Sequence, residues 1–326
     1  MTTLPSSPSV HVHVDMDELW AIADCYGLAP FAANLLPAYE TGAPRLAALF
    51  DEFGIQATWF VVGRDVLNPD GPPSQFLRDR LERGDAVANH SQTHRLDFRG
   101  LSREELRNEI CEAHEAIHAA TGFAPRGFRA PGYGYSAALI EELQAQGYAY
   151  DSSLCPSPYG FVFRYLDGQI IRDARRKGWS APAGDGTTGP FKTQYSILRD
   201  LRHPFRPHQP LRSVPSESQG GNIWEYPTAT APGLRLPFQA GIGLRLGRAY
   251  MGFQVQCWRA LAPTTPMTLL FHGADLADFS VTGHPFFLHS PFFAMPLSQR
   301  MDRARYLLEA VLRNRTCILT ESVHQA

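Results

Sequence analysis

From residue 10 to residue 151 the chain alternates short apolar runs with longer stretches whose apolar residues recur at helical spacing. This rhythm constrains the fold more than any other feature. Residues 10–14, 55–62, 86–88, Phe128 and 148–150 read as strands. Between them lie amphipathic helices. One opens at Pro44, carries Leu46, Leu49, Phe50 and Phe53 on one face and stops at Gly54. A second is expected to be capped by Ser74, with Phe76, Leu77 and Leu81 inward. A third begins with a Ser102/Glu105 capping box and runs along Leu106, Ile110, Ala113 and Ile117. A fourth covers 136–146 with Leu139, Ile140 and Leu143 inward. Repeated strand-then-helix units predict a parallel sheet with helices outside, open or closed into a barrel. Residues 222–226 and 267–271 read as further strands and 298–313 as a last helix. The stretch 156–221, rich in Pro, Gly, Arg and aromatics, breaks the rhythm. It is expected to be a loop or lid inserted into one domain spanning 1–326.

Charge excludes one broad class of function. Lys and Arg number 30 against 32 Asp and Glu, a net −2 with no basic stripe, which argues against nucleic acid as a partner. The five cysteines are scattered and form no CxxC pair, which suits a reducing compartment. With no signal-like run near residue 1 and no apolar stretch of about 20 residues, the expected setting is cytoplasmic.

Three polar clusters fall where strands end. Asp15-Met16-Asp17 runs off the first strand, and alternation places both carboxylates on one face. Adjacent acids there repel unless a cation or shared proton offsets them; a solvated Asp-x-Asp turn is the plainer alternative. His90-Ser91-Gln92-Thr93-His94 follows the third strand, and its histidines converge on one ion if the segment makes a helical turn. Two imidazoles plus the Asp17 carboxylate make a hydrolytic metal set, whereas a pair of loop histidines makes nothing. Leu269-Leu270-Phe271-His272 delivers a histidine to the same sheet edge, either as an acid–base group or as a hydrogen-bonded core residue. A fourth pattern, His114-Glu115-Ala116-Ile117-His118, spells the HExxH of zinc proteases. Its helix already commits Leu106, Ile110, Ala113 and Ile117 to the buried face, which leaves both histidines on the flank.

In chain order these clusters resemble the five motifs of the polysaccharide deacetylase (NodB-homology, carbohydrate esterase family 4) superfamily. His13-Val14-Asp15-Met16-Asp17 is similar to its first motif in an Asp-x-Asp form, and residues 90–94 to its second. Arg129-Ala130-Pro131, followed by Gly132-Tyr133, resembles the third, with Gly132 standing where the family usually has tyrosine. Asp151-Ser152-Ser153 resembles the fourth and Leu269 to His272 the fifth. Residues 54–63 look like the family's second barrel strand.

The resemblance implies a distorted (β/α) barrel, seven-stranded, with its site at the mouth where the strands end. It implies one divalent metal ion, zinc by preference, on Asp17, His90 and His94. Asp15 would be the base, held by Arg129, and His272 the acid, supported by Asp151. A backbone N–H of Gly132 or Tyr133 would join in stabilising the oxyanion. The implied reaction removes an N-acetyl or N-formyl group from an amino sugar, free or linked to a nucleotide or lipid. Residues 42–46 and 54–63 also look like deformylases of lipid-linked aminoarabinose in this superfamily. The cationic and apolar residues Leu234, Arg235, Leu236, Phe238, Arg245, Leu246 and Arg248 would then meet a membrane surface. Opening of a cyclic amide or imide is the alternative chemistry; a zinc protease and a non-catalytic glycan-binding relative are minor ones.

Overall fold

The computed structural model describes residues 8–26, 28, 35–179, 211–212, 223–290 and 293–324. Its strands are β1 (Ser9–Asp15), β2 (Ala57–Val61), β3 (Ala86–Asn89), β4 (Gly127–Phe128), β5 (Tyr150–Asp151), β6 (Leu211–Arg212), β7 (Trp224–Glu225), β8 (Met267–His272) and β9 (Thr316–Cys317). Its α-helices are α1 (Leu19–Tyr26), α2 (Ala43–Glu52), α3 (Pro72–Glu82), α4 (Arg103–Thr121), α5 (Ala137–Ala145), α6 (Gly160–Arg176), α7 (Ala240–Leu246), α8 (Arg248–Leu261), α9 (Pro285–His289) and α10 (Leu297–Leu312).

Seven strands run parallel in the order β7-β5-β4-β3-β2-β1-β8, with β6 antiparallel to β7 and β9 parallel to β1. The chain beyond β7 reaches β8 through a bond from Ala229 N to Thr268 O (2.9 Å) and a Thr228–Thr268 bridge, so the sheet curls into the expected distorted barrel. Register sets the rim: His272 pairs with Asp15, Phe128 with both Asn89 and Asp151, and Asp151 with Glu225. The motif residues at strand ends therefore share one mouth.

Alternation along β1 explains why a strand with two histidines is wholly buried. Val10, Val12, Val14 and Met16 point outward into a core with Leu46 and Phe50 of α2, Met251 and Trp258 of α8, and Leu307 and Leu308 of α10. Fully burying each such side chain stabilises by about 1.5–3 kcal/mol. His11, His13 and Asp15 point into the barrel. The capping box of α4 forms as expected, and Gly122 ends that helix in the left-handed conformation.

Three expectations need correction. Ser74 does not cap α3; Pro72 opens it after Gly71, and Ser74 Oγ donates to Asn68 O (2.8 Å) from inside the first turn. The 156–221 stretch is not all loop: α6 occupies its first part. There Ile171 and Ala174 are buried, and Ala174 and Ile170 pack on the cluster of Leu19, Phe279 and Phe286. Apolar spacing prevailed over the turn-rich composition around it. Residues 180–210 and 213–221 of that stretch lie outside the described residues. The Arg-spiked segment after 232 holds α7 and α8, and its Phe238 lies in the core while Arg235 Nε donates to Pro156 O (2.7 Å). Those two residues serve the fold rather than an external surface.

Candidate active site

β1 ends at Asp15, and Met16 anchors the next step by donating its N–H to Phe60 O (2.9 Å) while its side chain enters the core. Asp17 is thereby turned back to the mouth. Its Oδ1 lies 3.2 Å from His90 Nε2 and 3.1 Å from His94 Nε2.

The histidines converge, but not through a helical turn. Ser91 (φ 66°) and His94 (φ 53°) both adopt left-handed backbone, a conformation that non-glycine residues hold only when neighbours enforce it. Asn89 Oδ1 accepts from Ser91 N (2.8 Å) and Ser91 Oγ from His94 N (3.1 Å). Glu109, reaching in from α4, accepts from the amides of Gln92 (3.0 Å) and Thr93 (2.9 Å) and from the Thr93 hydroxyl (2.5 Å). Sequence reasoning passed over Glu109, which holds the turn that carries both histidines. Its signal was an acid beside Ile110 on the buried stripe of α4.

His90 Nδ1 sits 2.6 Å from Arg129 O, and a carbonyl only accepts, so Nδ1 carries a proton. In the neutral ring Nε2 then presents a lone pair to Asp17 Oδ1, a buried atom with no hydrogen-bond partner. Lone pairs converging on each other need a cation or a proton between them. These three ligand atoms lie within 4.8 Å of one another, and Asp17, His90 and His94 are the one such set found among the described residues. Two imidazoles and one carboxylate, with the His90 ring orientation locked by a carbonyl, fit a divalent ion such as zinc. With the protein atoms alone, the electrostatics favour a proton in that place. Burial alone would raise Asp17, yet His94 and His90 hold its carboxyl well below the ordinary range. Burial alone would lower His90, yet Asp15 and Asp17 raise it.

Asp15 stands between this set and His272. Its Oδ2 is 3.9 Å from His90 Nε2 and 4.0 Å from His272 Nε2, while Oδ1 accepts from Arg129 Nη1 at 2.6 Å. Arg129 is completely buried, and four of its five N–H donors have partners: besides the Asp15 bond, Nε donates to Ser152 O (2.9 Å), and Nη2 to Ser152 Oγ (2.6 Å) and His13 Nδ1 (2.7 Å). Its plane lies over Phe60, 4.3 Å from the ring centre. An Arg–Asp pair this buried is costly unless further hydrogen bonds offset its desolvation, and Ser152 and His13 supply three.

Asp151 does not support His272 as expected. Its carboxylate accepts from Ser153 Oγ (2.6 Å) and Ser153 N (3.2 Å) and is bonded to Glu225. Burial raises both acids, Glu225 well above its ordinary range with Asp151 beside it, so the pair shares a proton. Ser153 Oγ also accepts from Ala130 N (2.8 Å), so this acid pair props the turn that carries Arg129. The acid beside His272 is Asp275: its Oδ2 accepts from His272 N (2.9 Å), and the His272 ring accepts from the Asp275 amide. A partner three residues onward in a tight turn pre-empts one from another strand.

Gly132 (φ 57°) and Tyr133 (φ 58°) follow Arg129 in consecutive left-handed conformations, and the Tyr133 hydroxyl accepts from Gln239 Nε2 (2.6 Å). Trp20 of α1 stands edge-on to His94, 6.4 Å between ring centres, and donates to Asp65 Oδ1 (2.7 Å). The HExxH residues lie elsewhere: His114 is half-buried with Nδ1 3.2 Å from the Tyr148 hydroxyl, and Glu115 and His118 are exposed. No described helix is long and apolar enough to cross a membrane.

The family model described as polysaccharide deacetylase matches residues 35–150. A peptidoglycan deacetylase of Helicobacter pylori is 31% identical over 146 residues, 44% of this chain and 48% of its own length. A chitooligosaccharide deacetylase of Sinorhizobium fredii is 32% identical over 113 residues, 29% of this chain and 50% of its own. The chain thus spans about half the length of the curated relatives it matches. Among solved structures, one assigned as a polysaccharide deacetylase from Mycobacterium smegmatis aligns with 98% of this chain and 90% of its own. Its TM-score is 0.54 at 16% identity, a likeness of fold.

Proposed function

We propose that this chain is a member of the polysaccharide deacetylase superfamily and, from that premise, a metal-dependent amidohydrolase that removes the N-acetyl group of an amino sugar. One observation carries the reading. Asp17 and the Nε2 atoms of His90 and His94 converge beside an Arg-held carboxylate, Asp15, which itself lies between them and His272.

Asp17, His90 and His94 would hold a divalent ion, which when bound would supply Lewis-acid polarisation of the amide carbonyl and a lowered pKa for water. The residues divide the remaining work. Asp15 accepts the proton of the attacking water; Arg129, bonded to Oδ1, fixes which oxygen faces the site. His272, at the mouth's opposite side, gives a proton to the nitrogen as the C–N bond breaks, so acetate and a free amine leave. Asp275 orients the His272 ring. Backbone at Gly132 and Tyr133 faces the carbonyl oxygen as negative charge gathers on it. The relatives' printed activities, on peptidoglycan and chitooligosaccharide, support an N-acetylated amino sugar as the substrate class.

The test is release of acetate from N-acetylglucosamine oligomers by zinc-loaded protein. Asp15→Asn and His272→Ala are each expected to lower kcat by about 10²–10⁴-fold with the fold and zinc content unchanged. Full activity in either variant would contradict the assigned roles.

A further inference from the structure

Below the catalytic mouth the barrel holds a polar column instead of the aliphatic layers usual there. Its lower members come from the far end of the chain. β9 pairs with the start of β1, through Thr316 N to Pro8 O and Ile318 N to Val10 O (both 2.9 Å), and delivers residues 318–324 under the barrel floor. Thr320 and Glu321 are each only 1% exposed there. The Tyr150 hydroxyl donates to Glu321 Oε2 (2.8 Å), and the His324 ring stacks on Tyr150 with centres 5.3 Å apart.

The guanidinium of Arg129 fixes the donor and acceptor roles of His13 in this column. Arg129 only donates, so His13 Nδ1, 2.7 Å from Nη2, must be an unprotonated acceptor. The proton of neutral His13 is then on Nε2, which donates to Thr320 Oγ1 at 2.8 Å. The Thr320 hydroxyl, which accepts from His13, still holds one proton, and His11 Nδ1 lies 3.2 Å away to receive it. The His11 ring ends the series on the Ile318 backbone. Burial lowers both rings, His11 to about 4 and His13 well below its ordinary range with Arg129 beside it, so both are neutral. All three side chains are at most 2% exposed.

The geometry points to a positioning role for Thr320, His13 and His11: a directional hydrogen-bonded strut, completed by the C-terminal segment, that fixes the Arg129 guanidinium and through it the catalytic carboxylate of Asp15. The idea rests on the deacetylase reading. Arg129 reaches Asp15 with one nitrogen only, so a tilt of the guanidinium moves Asp15 at once. Ser152 fixes two of the remaining guanidinium contacts, and His13 is the third. A protonated His13 would offer Arg129 a second donor and break the contact.

The experiment pairs kinetics with a spectroscopic readout. Zinc-loaded wild type, Thr320→Val and Thr320→Ser are assayed on N,N′,N″-triacetylchitotriose, with melting temperature and zinc content measured alongside. Thr320→Val, which keeps shape but not the hydroxyl, is expected to lose about tenfold or more in kcat at unchanged KM and zinc content, with a lowered melting temperature that stays well above the assay temperature, and Thr320→Ser to restore kcat. In parallel, ¹⁵N NMR of the wild-type His13 ring is expected to show a neutral imidazole protonated at Nε2. Wild-type kcat in Thr320→Val, a loss that Ser does not restore, or a His13 that is charged or protonated at Nδ1 would each overturn the proposal. Should the wild type bind zinc yet cleave none of the trisaccharide, the reaction reading fails on its own. The His13 tautomer then decides the strut alone, as it does if Thr320→Val fails to fold.

Discussion

His90 and His94 at the barrel mouth and His114 and His118 on α4 have the same spacing and an acid within reach, yet they differ in everything that makes a metal site. The first pair is nearly buried, His90 is oriented by a backbone carbonyl, and both rings aim at a carboxylate oxygen that lacks any other partner. The second pair has a more recognisable spelling and a regular helix beneath it, but one ring is spent on Tyr148 and the other faces solvent. What specifies a metal centre is therefore the fixed direction of its lone pairs, maintained by groups such as Glu109, Asn89 and the Arg129 carbonyl. Spacing alone does not supply that.

The sharpest way to break this contrast is to remove a ligand from each site. Asp17→Asn or His94→Ala is expected to reduce bound zinc from one equivalent to near zero by elemental analysis. The double variant His114→Ala/His118→Ala should keep the full equivalent and lose only about 0.5–1.5 kcal/mol of stability, from the lost Tyr148 contact. A reversed pattern would restore the protease reading.

An intermediate effect tests whether the turn, not merely its histidines, makes the site. Glu109→Gln removes the carboxylate that gathers the amides of Gln92 and Thr93, and zinc affinity measured by competitive titration is expected to fall about 10–100-fold. Unchanged affinity would mean the left-handed turn holds itself.

The smallest effect concerns the acid pair that props the Arg129 turn. Burial and Asp151 raise Glu225 well above its ordinary 4.5, so the folded protein keeps a proton that the unfolded chain releases above about pH 4.5. The stability this raised acid contributes is thus fully present below the unfolded value and declines as pH rises toward the folded one. The side-chain amide of the Glu225→Gln variant has no such proton to lose. That variant's melting temperature is expected to gain on the parent's as the pH rises above the ordinary carboxylate value. Parallel curves would show that the two carboxyls do not share a proton.

The barrel and its mouth were legible in the sequence because both depend on short-range pattern: alternation in β1, stripes on α2 and α4, and polar clusters at strand ends. Asp15, Asp17, His90, His94 and His272 were found that way and Arg129 through the family resemblance, and the structure brings them together. Partners chosen by packing were not legible. Asp275 stands beside His272 because a tight turn follows β8, and Asp151 is diverted to Glu225 by register between β5 and β7. Thr320 lies 307 residues from the histidine it contacts, a pairing that no local pattern encodes. Helix α6 was masked by the turn-forming residues around it.

The most direct test of the whole account is X-ray absorption at the zinc edge of the protein loaded with one equivalent. The account predicts a first shell of nitrogen and oxygen at about 2.0–2.2 Å with scattering from two imidazoles, lost in Asp17→Asn. Zinc held by sulfur, or an unchanged spectrum in Asp17→Asn, would contradict it.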